Sequence, residues 1–436
     1  MTVLDTAVSP RSESYRAARK AMVAALVELA GALDSARQGG GERAVTRHHA
    51  RGKLLARERL ELLVDRDSPL LELSPVAGWG TSTPIGAGVV TAIGVVTGRI
   101  CVLAATDPTV RDGAIGEATL RKLHRAQQIA YQNRLPMVSL IETTGIDQHE
   151  SHPRTPQVSD LLAGYARLNA TRLPNIGVLF GGTGDLDGDD LGYAFDQLVT
   201  LRPELSQRPP DHLAADERDA VRLARHSLHR LPADLQHTGM AGPQRTGVTG
   251  QPTASEPKHD PEDLLAVPAS APREILGRLL DGSQFDESQP GYGPALCTGW
   301  GEVHGHRVGV VADSGDPTGH EEADKAAWLV ERAGLADTPV LLLRNGSASR
   351  VEAAITAAAG SGRVPLLAVR IGGRDGPAAI SAQARFRFTW PIPGPPELGC
   401  SALYGSGQLA DDGVIDPRDT RTVLGLCLAV LGCGRR

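Results

Sequence analysis

Two stretches of this chain share one pattern: GAGVVTAIGVVTGRICVLAATD (86–107) and PALCTGWGEVHGHRVGVVADSG (294–315). In each, two runs rich in β-branched residues flank a short turn, which is typical of a β-hairpin. After each hairpin come a helical pattern, an apolar run ending in glycine, a second helical pattern and a second such run. These runs are LPMVSLIETTG (135–145) and LPNIGVLFGGTG (173–184), then TPVLLLRNG (338–346) and VPLLAVRIGGRDG (364–376). The repeat predicts a duplicated α/β fold.

The glycines that end these runs indicate where a functional site lies. Open α/β sheets bind ligands beyond the carboxyl ends of their strands. We therefore expect the functional site to lie at these glycines. We also expect Gly145 and Gly346 to occupy equivalent positions in the two halves.

The length of 436 residues suits two domains of ordinary size. We predict an N-terminal domain at 1–240, a linker at 241–262 and a C-terminal domain at 263–436, because the region between the repeats is rich in Gly, Pro, Ser and Thr and lacks an apolar period. An amphipathic pattern predicts a helix at 12–39. Further helices are predicted at 51–65, at 214–231, where the pattern is charged, at 272–281, and at 422–430, where it is apolar.

Composition excludes several classes of function. The formal net charge of -6 and the sequence pI of about 6.1 give no electrostatic reason to expect nucleic acid or an anionic membrane surface as a partner. No apolar run approaches the roughly 20 residues of a membrane span, and the N-terminal sequence lacks the order of a signal peptide. We therefore expect a cytoplasmic protein. The five cysteines show no spacing typical of metal ligands, so no metal is expected.

Four blocks spread along the chain resemble one known family. They are RHHARGKLLARERLELLVD (47–65), GVVTAIGVVTGRICVLAATDPTVRDGAIGE (88–117), FDESQPGYGPALCTGWGEVHGHRVGVVAD (285–313) and DDGVIDPRDTRTVLGLCLA (411–429). Together they resemble the carboxyltransferase (beta) subunit of biotin-dependent acyl-CoA carboxylases, of which this chain looks like a divergent and shortened member.

The resemblance implies a fold, partners and an assembly. The fold would be two crotonase-like α/β domains in tandem, each a twisted sheet with flanking helices. The first domain would hold an acyl-CoA and the second would receive carboxybiotin, with the first domain of one subunit facing the second of another in a homo-oligomer. Biotin would not be bound covalently here, and would come on a separate carrier, with a biotin carboxylase subunit, if the ancestral activity is retained.

The chemistry of carboxyl transfer explains the glycines. An enolate at the thioester and the ureido oxygen of biotin both carry developing negative charge, which backbone N–H groups stabilise, and glycine allows a close approach. The candidate donors are Gly145 with Gly181 and Gly182. As further substrate-binding residues we expect Thr144, Gly113 and Gly116 in the first domain, and Gly346, Gly372 and Gly373 in the second.

Several segments depart from the family pattern. Thr144 replaces a glycine of the first cradle, and GGTGDLDGDDLGY (181–193) carries four aspartates where a CoA thioester would approach. In the second domain the glycine-rich wall is reduced to RNGSASRVEAAITAAAGSG (344–362), and Arg374 and Asp375 interrupt the later loop. We therefore expect free biotin or carboxybiotin to bind poorly.

Three side chains near the first cradle are candidates for proton transfer. Glu142, His149 and His152 lie in IETTGIDQHESHP (141–153), just beyond a predicted strand end, where a shifted pKa would suit a general acid or base. One alternative function is a biotin-independent decarboxylase, hydratase or hydrolase of the crotonase fold that uses these groups. Another is a noncatalytic paralogue that keeps only the assembly surfaces.

Overall fold

The computed structural model describes residues 2–147, 158–183, 191–230, 254–316, 318–346, 349–360, 363–373, 383–393 and 401–433. The chain forms two compact units. The N-terminal unit comprises Ala32–Gly239, Gly407–Leu409 and Cys433–Arg436, and the C-terminal unit comprises Met1–Gly31, Met240–Ser406 and Ala410–Gly432. Strands and helices are numbered below in chain order.

The N-terminal unit is built on a seven-stranded sheet. Its first two pairings are antiparallel and the other four are parallel. The strands, in their order across the sheet, are β2 (Leu70–Leu73), β3 (Val89–Val96), β4 (Arg99–Thr106), β5 (Met137–Ile141), β6 (Asn175–Leu179), β7 (Gln197–Thr200) and β8 (His212–Leu213). The helices are α2 (Glu42–Ala50), α3 (Ala56–Leu63), α4 (Glu117–Asn133), α5 (Val158–Ala170) and α6 (Glu217–His229).

The C-terminal unit is built on a second sheet of seven strands. Its order is β1 (Thr2–Val3), β9 (Gln284–Ser288), β10 (Leu296–Val303), β11 (His306–Asp313), β12 (Val340–Arg344), β13 (Leu366–Arg370) and β14 (Phe386–Thr389). Its helices are α7 (Pro272–Leu279), α8 (His320–Leu335), α9 (Ser349–Ala359), α10 (Ala402–Gly407, whose last residue groups with the N-terminal unit) and α11 (Thr420–Cys433). Helix α1 (Glu13–Arg37) begins in this unit and ends in the other.

The core of the N-terminal unit follows from the alternation of side chains along the strands. Val138 and Leu140 of β5 pack with Leu60 of α3 and Ala224 of α6 on one face of the sheet. Because successive residues of a strand point to opposite faces, the odd-numbered residues of β5 lie on the face of α4 and α5. Every residue of β5 and β6 is buried, as expected for parallel strands covered on both faces.

The predicted duplication is confirmed in the strand registers. Val102, the fourth residue of β4, pairs with the first residue of β5, and Gly309, the fourth residue of β11, pairs with the first residue of β12. Buried lysines repeat as well. Lys122 on α4 donates to the carbonyl oxygen of Val89, and Lys325 on α8 donates to that of Leu296, each at 2.7 Å.

The same registers correct one expected equivalence. Counting residues along β12 and β5 places Gly346 opposite Thr143, two residues before Gly145. The expected match of Gly346 with Gly145 is therefore wrong, because the loop after β5 is longer before its glycine. Along β6 and β13, Gly181 and Gly182 do match Gly372 and Gly373.

The grouping of residues differs from the predicted division at two places. The N-terminal residues belong to the C-terminal unit, because Thr2 pairs with Phe285 of β9. The described end of the predicted linker also packs in the C-terminal unit, since the Lys258 N–H donates to Ser283 Oγ at 2.8 Å. The rest of the linker lies outside the described residues, and its role stays a prediction. Within the described part of the chain, no helix is long and apolar enough to cross a membrane.

Candidate active site

Two loops meet at the carboxyl ends of β5 and β6 in the N-terminal unit. The Thr143 N–H donates to the carbonyl oxygen of Gly182 at 2.9 Å, which joins the two predicted parts of the oxyanion site. Thr106 ends the neighbouring strand β4, and its hydroxyl oxygen accepts the Glu142 N–H at 2.8 Å. The structure therefore brings Glu142, Gly145, Gly181 and Gly182 to one edge of the sheet.

Glycine is required at two positions because the backbones pack closely. Gly113 has a φ of 81°, and a Cβ atom there would lie 2.9 Å from the carbonyl oxygen of Glu142. A Cβ atom on Gly181 would lie 2.9 Å from Glu142 Cγ. Close packing against Glu142 is thus one reason for glycine at both positions. Gly116 lies further along the same loop, at the N-cap of α4.

The predicted donor at Gly145 is already engaged. Its N–H donates to Thr143 Oγ1 at 3.1 Å, and this hydroxyl donates in turn to the carbonyl oxygen of Gly113 at 2.6 Å. Among the described residues, the amide N–H groups of Thr144, Gly181 and Gly182 have no hydrogen-bond partner. These three groups are therefore better placed than Gly145 to stabilise an oxyanion.

Glu142 lies in a partly buried network of charges. Lys53 Nζ and Arg59 each bond one of its carboxylate oxygens, Arg59 Nη2 at 2.6 Å from Oε2. Burial alone would raise the pKa of Glu142, but the two cations outweigh it and lower the pKa below its ordinary value of 4.5. Glu142 is therefore an ionised carboxylate near neutral pH, which makes it a weak base and not an acid.

Arg59 connects this edge to helix α6. Its guanidinium bonds both carboxylate oxygens of Glu217, at 3.0 Å and 2.9 Å, and lies 4.1 Å from the centre of the Phe180 ring. Its side chain is fully buried. Sequence analysis missed Lys53, Arg59 and Glu217 as parts of this site. Lys53 and Arg59 lie in the block at 47–65, but no pattern in the sequence pairs them with Glu142.

A small apolar cavity lies beneath the same edge, on the face of α4 and α5. Its volume is about 20 Å³, which is enough for one water-sized group. Ser139 and Tyr165 line it with their hydroxyl groups bonded to each other at 3.1 Å, so few polar groups are left to bind a ligand. Apolar residues form most of the remaining wall, namely Ala104, Ile115, Leu123, Leu140, Ile141, Leu161 and Leu191.

The matching edge of the C-terminal unit also keeps its paired glycines. A Cβ atom on Gly373 would lie 2.9 Å from the Cα atom of Gly346, so these loops touch through their backbones. The Asn345 N–H donates to Asp313 Oδ1 at 2.8 Å, in the manner of Glu142 and Thr106. Gly372 gives room to the side chain of Asn345, which donates to the carbonyl oxygen of Ser314. The structure thus brings Gly346, Gly372 and Gly373 together.

Some predicted residues fall outside the described part of the chain. They are His149 and His152, the four aspartates at 185–190, and Arg374 with Asp375. Their roles stay predictions. Within the described ranges, no group of three or more His, Cys, Asp or Glu side chains is arranged to hold a metal ion.

Comparison with known proteins places the chain in a family. A profile of the Carboxyl transferase domain matches residues 47–184 and 210–347, which is more than half of the chain. This chain belongs to the carboxyl transferase family. The match covers the first repeat and the second repeat as far as residue 347. The family's two-domain α/β fold with twisted sheets is the fold found here.

Relatives in the carboxyl transferase family match over almost their whole length. A Mycobacterium tuberculosis protein named "Probable biotin-dependent acyl-coenzyme A carboxylase beta2 subunit" is 33% identical, over 99% of this chain and 98% of the relative. The biotin-dependent 3-methylcrotonyl-coenzyme A carboxylase beta1 subunit of the same organism is 31% identical, over 99% and 97%. The crystal structure of the P. aeruginosa geranyl-CoA carboxylase beta subunit superposes with a TM-score of 0.80 at 26% identity, over 100% of this chain and 98% of that one.

Proposed function

We propose that this protein is the carboxyltransferase subunit of an acyl-CoA carboxylase, and that it carboxylates an acyl thioester through an enolate formed in the N-terminal unit. The observation that carries the proposal is the junction of the loops after β5 and β6. There, three backbone N–H groups without a partner among the described residues lie on loops joined by the bond from Thr143 to Gly182.

The enolate oxygen would be stabilised by the backbone donors of Thr144, Gly181 and Gly182. Preorganised donors act where charge develops, and one such donor is commonly worth about 10²–10³ in rate. Arg59 and Lys53 hold Glu142, which keeps this carboxylate from repelling the enolate at full strength. In this proposal Glu142 positions the loop, while His149 and His152 remain the candidates for proton transfer.

The small cavity beneath the edge supports an acyl group with a short apolar part. Its wall is mostly apolar, and its volume of about 20 Å³ suits a methyl-sized group. Transfer of such a group from water is favourable by about 0.8 kcal/mol per buried CH₂. The edge above the cavity would then hold the thioester.

The C-terminal unit would receive the carboxyl donor. When a carrier presents carboxybiotin, that group supplies an activated carboxyl. The contact of Gly373 with Gly346 supports a close backbone approach at this edge, which is the feature that suits the group. The reduced wall at 344–362 and the residues Arg374 and Asp375 are still expected to weaken its binding. The expected weak binding of free biotin would be compatible with delivery by a carrier, because a tether raises the effective concentration to about the millimolar range.

The remaining features of this proposal concern partners, assembly and location. Since the two Mycobacterium tuberculosis proteins are named as beta subunits of biotin-dependent carboxylases, we propose a separate biotin carboxylase and carrier as partners. We also propose a homo-oligomer in the cytoplasm.

Carboxyl transfer in the reverse direction tests the proposed function. The full chain is incubated with malonyl-CoA or methylmalonyl-CoA, with and without biocytin, and CO₂ release is measured. Because free biotin is expected to bind weakly, biocytin is added at about millimolar concentration, the effective concentration that a tethered carrier would give. We expect release that depends on biocytin. Absence of release with every carboxylated acyl-CoA, in a folded protein, would contradict the proposal.

Variants at Gly182 test the role of the backbone donors. Gly182→Pro removes the N–H and should slow release by about 10²–10³, the value of one oxyanion donor. Gly182→Ala keeps the N–H and should slow it much less. Circular dichroism checks that both variants fold.

A further inference from the structure

Three charged side chains form a row at the carboxyl ends of adjacent strands in the C-terminal unit. Asp313 ends β11, Arg344 ends β12 and Arg370 ends β13, and Arg344 pairs with Arg370 in the parallel register. The residues two positions earlier, Val311, Leu342 and Ala368, all pack in the core against α8 and α9. Since side chains alternate along a strand, the three charges point to this same face.

The fold does not require charges at these positions. By the registers of the two sheets, the matching residues of the N-terminal unit are Thr106, Ile141 and Leu179. None of them is charged, and Thr106 and Ile141 line the small apolar cavity. The three positions are thus uncharged in one half and ionic in the other, which indicates two different kinds of ligand.

Arg344 is buried with part of its guanidinium unsatisfied. Only 2% of the residue is exposed, and its Nε lies 3.4 Å from Asp313 Oδ2 in an ion pair too poorly aligned for a hydrogen bond. Among the described residues, Nε and Nη1 of Arg344 and Oδ2 of Asp313 have no hydrogen-bond partner. A buried charged donor without a partner destabilises a protein, so such a group calls for an explanation.

We propose that Arg344 is the anchor of a binding site for a small planar carboxylate, either bicarbonate or the carboxyl group of a small organic acid. A guanidinium presents parallel N–H donors that match the two oxygens of a carboxylate. The site goes beyond the proposed function and does not depend on it, because binding is measured without turnover.

The neighbours of Arg344 suit this role. Arg370 donates to the carbonyl oxygens of Gly372 and Gly373, at 3.2 Å and 2.9 Å, and adds a second positive charge at the same edge. Asp313 opposes an anion, but its burial raises the pKa of this carboxyl above the ordinary range despite Arg344.

Thermal unfolding of the full chain in different sodium salts tests the proposal. Bicarbonate, acetate, sulfate and chloride are compared at equal ionic strength and pH, and Kd is taken from the dependence of Tm on salt concentration. We expect a saturable rise in Tm with bicarbonate, acetate or both, and a much smaller one with sulfate or chloride. A response to bicarbonate alone identifies the inorganic ion as the ligand, and a comparable response to acetate identifies an organic carboxyl group.

Variants connect this response to Arg344. Arg344→Gln should weaken carboxylate binding by about 10- to 100-fold, as expected for loss of a charge-assisted hydrogen bond, while Arg344→Lys should weaken it less. Arg278→Gln is the matched control, since Arg278 is a buried arginine of the same unit whose carboxylate partners are Asp263 and Glu274. It should lower Tm but keep the carboxylate response.

Three results would overturn the proposal. They are a wild-type protein that responds to no carboxylate, an equal response to sulfate or chloride, and an unchanged Kd in both Arg344 variants. The first two need no variant, so the test holds even if Arg344→Gln does not fold.

Discussion

Replacement of Arg59 by methionine tests whether this buried cation holds the N-terminal edge together. Arg59 is fully buried and bonds both Glu142 and Glu217, so Arg59→Met leaves two carboxylates without their main partner. Removing one partner of a buried ion pair destabilises a protein by about 3–5 kcal/mol. At roughly 2–4 °C per kcal/mol for a unit of this size, Tm should fall by about 6–20 °C.

Thermal unfolding followed by circular dichroism measures this effect. Arg57→Met on the same helix is the matched control. Its ion pair with Glu72 is partly exposed, so it should cost at most about 1 kcal/mol. In the double variant of Arg59→Met with Glu217→Gln, part of the loss should return, because a carboxylate is no longer buried alone. Equal Tm values for the Arg59 and Arg57 variants would refute the reasoning.

The dependence of stability on pH should also report on this network. The pKa of Glu142 is lowered in the folded state. The ionised carboxylate therefore stabilises the fold above about pH 4.5, and this contribution is lost as the pH falls through the folded-state pKa. Arg59→Met removes a main cause of that shift. The difference in stability between wild type and variant should therefore shrink in acid, and a difference that stays constant from pH 7 to pH 3 would contradict this assignment.

Three further predictions concern other parts of the chain. Burial lowers the pKa of Lys122 from 10.5 to about 8, so the unfolded state binds more protons between these two pH values. The wild type should therefore gain up to about 3 kcal/mol of stability from pH 8 to pH 10.5 relative to Lys122→Met. Parallel dependences of stability on pH in the two proteins would exclude this. His149→Ala and His152→Ala, separately and together, should reduce turnover by about 10²–10⁴, whereas full activity of the double variant would exclude both as proton-transfer groups. Light scattering at micromolar concentration should give a homo-oligomer, and a monomer would count against the assembly.

Much of the fold could be predicted from the sequence, because its signals are local. The hairpins, the apolar runs that stop at glycine and the helices at α1, α7 and α11 all follow from periodicity and turn residues, and the structure has them. The pattern at 51–65 predicted one helix, whereas α3 covers only Ala56–Leu63 of it. Leu55 and Val64 at its two ends have extended backbone angles, which the apolar pattern does not encode.

The site could be predicted only where its residues follow the strands. The glycines after β5 and β6 were found in this way, and so were those after β12 and β13. Lys53, Arg59 and Glu217 come from distant parts of the chain, and only the packing of α3 and α6 on the sheet brings Arg59 to Glu142 and Glu217. The strand registers likewise show that Gly145 lies two residues beyond the position that matches Gly346, and these registers could not be predicted from the sequence.

Exchange of the α-protons of an acyl-CoA in D₂O is the most direct test of the central claim, that an enolate forms at the edge of the N-terminal unit. The exchange is followed by NMR with acetyl-CoA and propionyl-CoA, without any carboxyl donor. The account predicts exchange in the wild type, a loss of about 10²–10³ in Thr144→Pro, which lacks the backbone donor, and a much smaller loss in Thr144→Ala. Arg344→Gln in the other unit should exchange at the wild-type rate. Exchange that survives in Thr144→Pro but is lost in Arg344→Gln would contradict the account, because it would locate the enolate in the C-terminal unit.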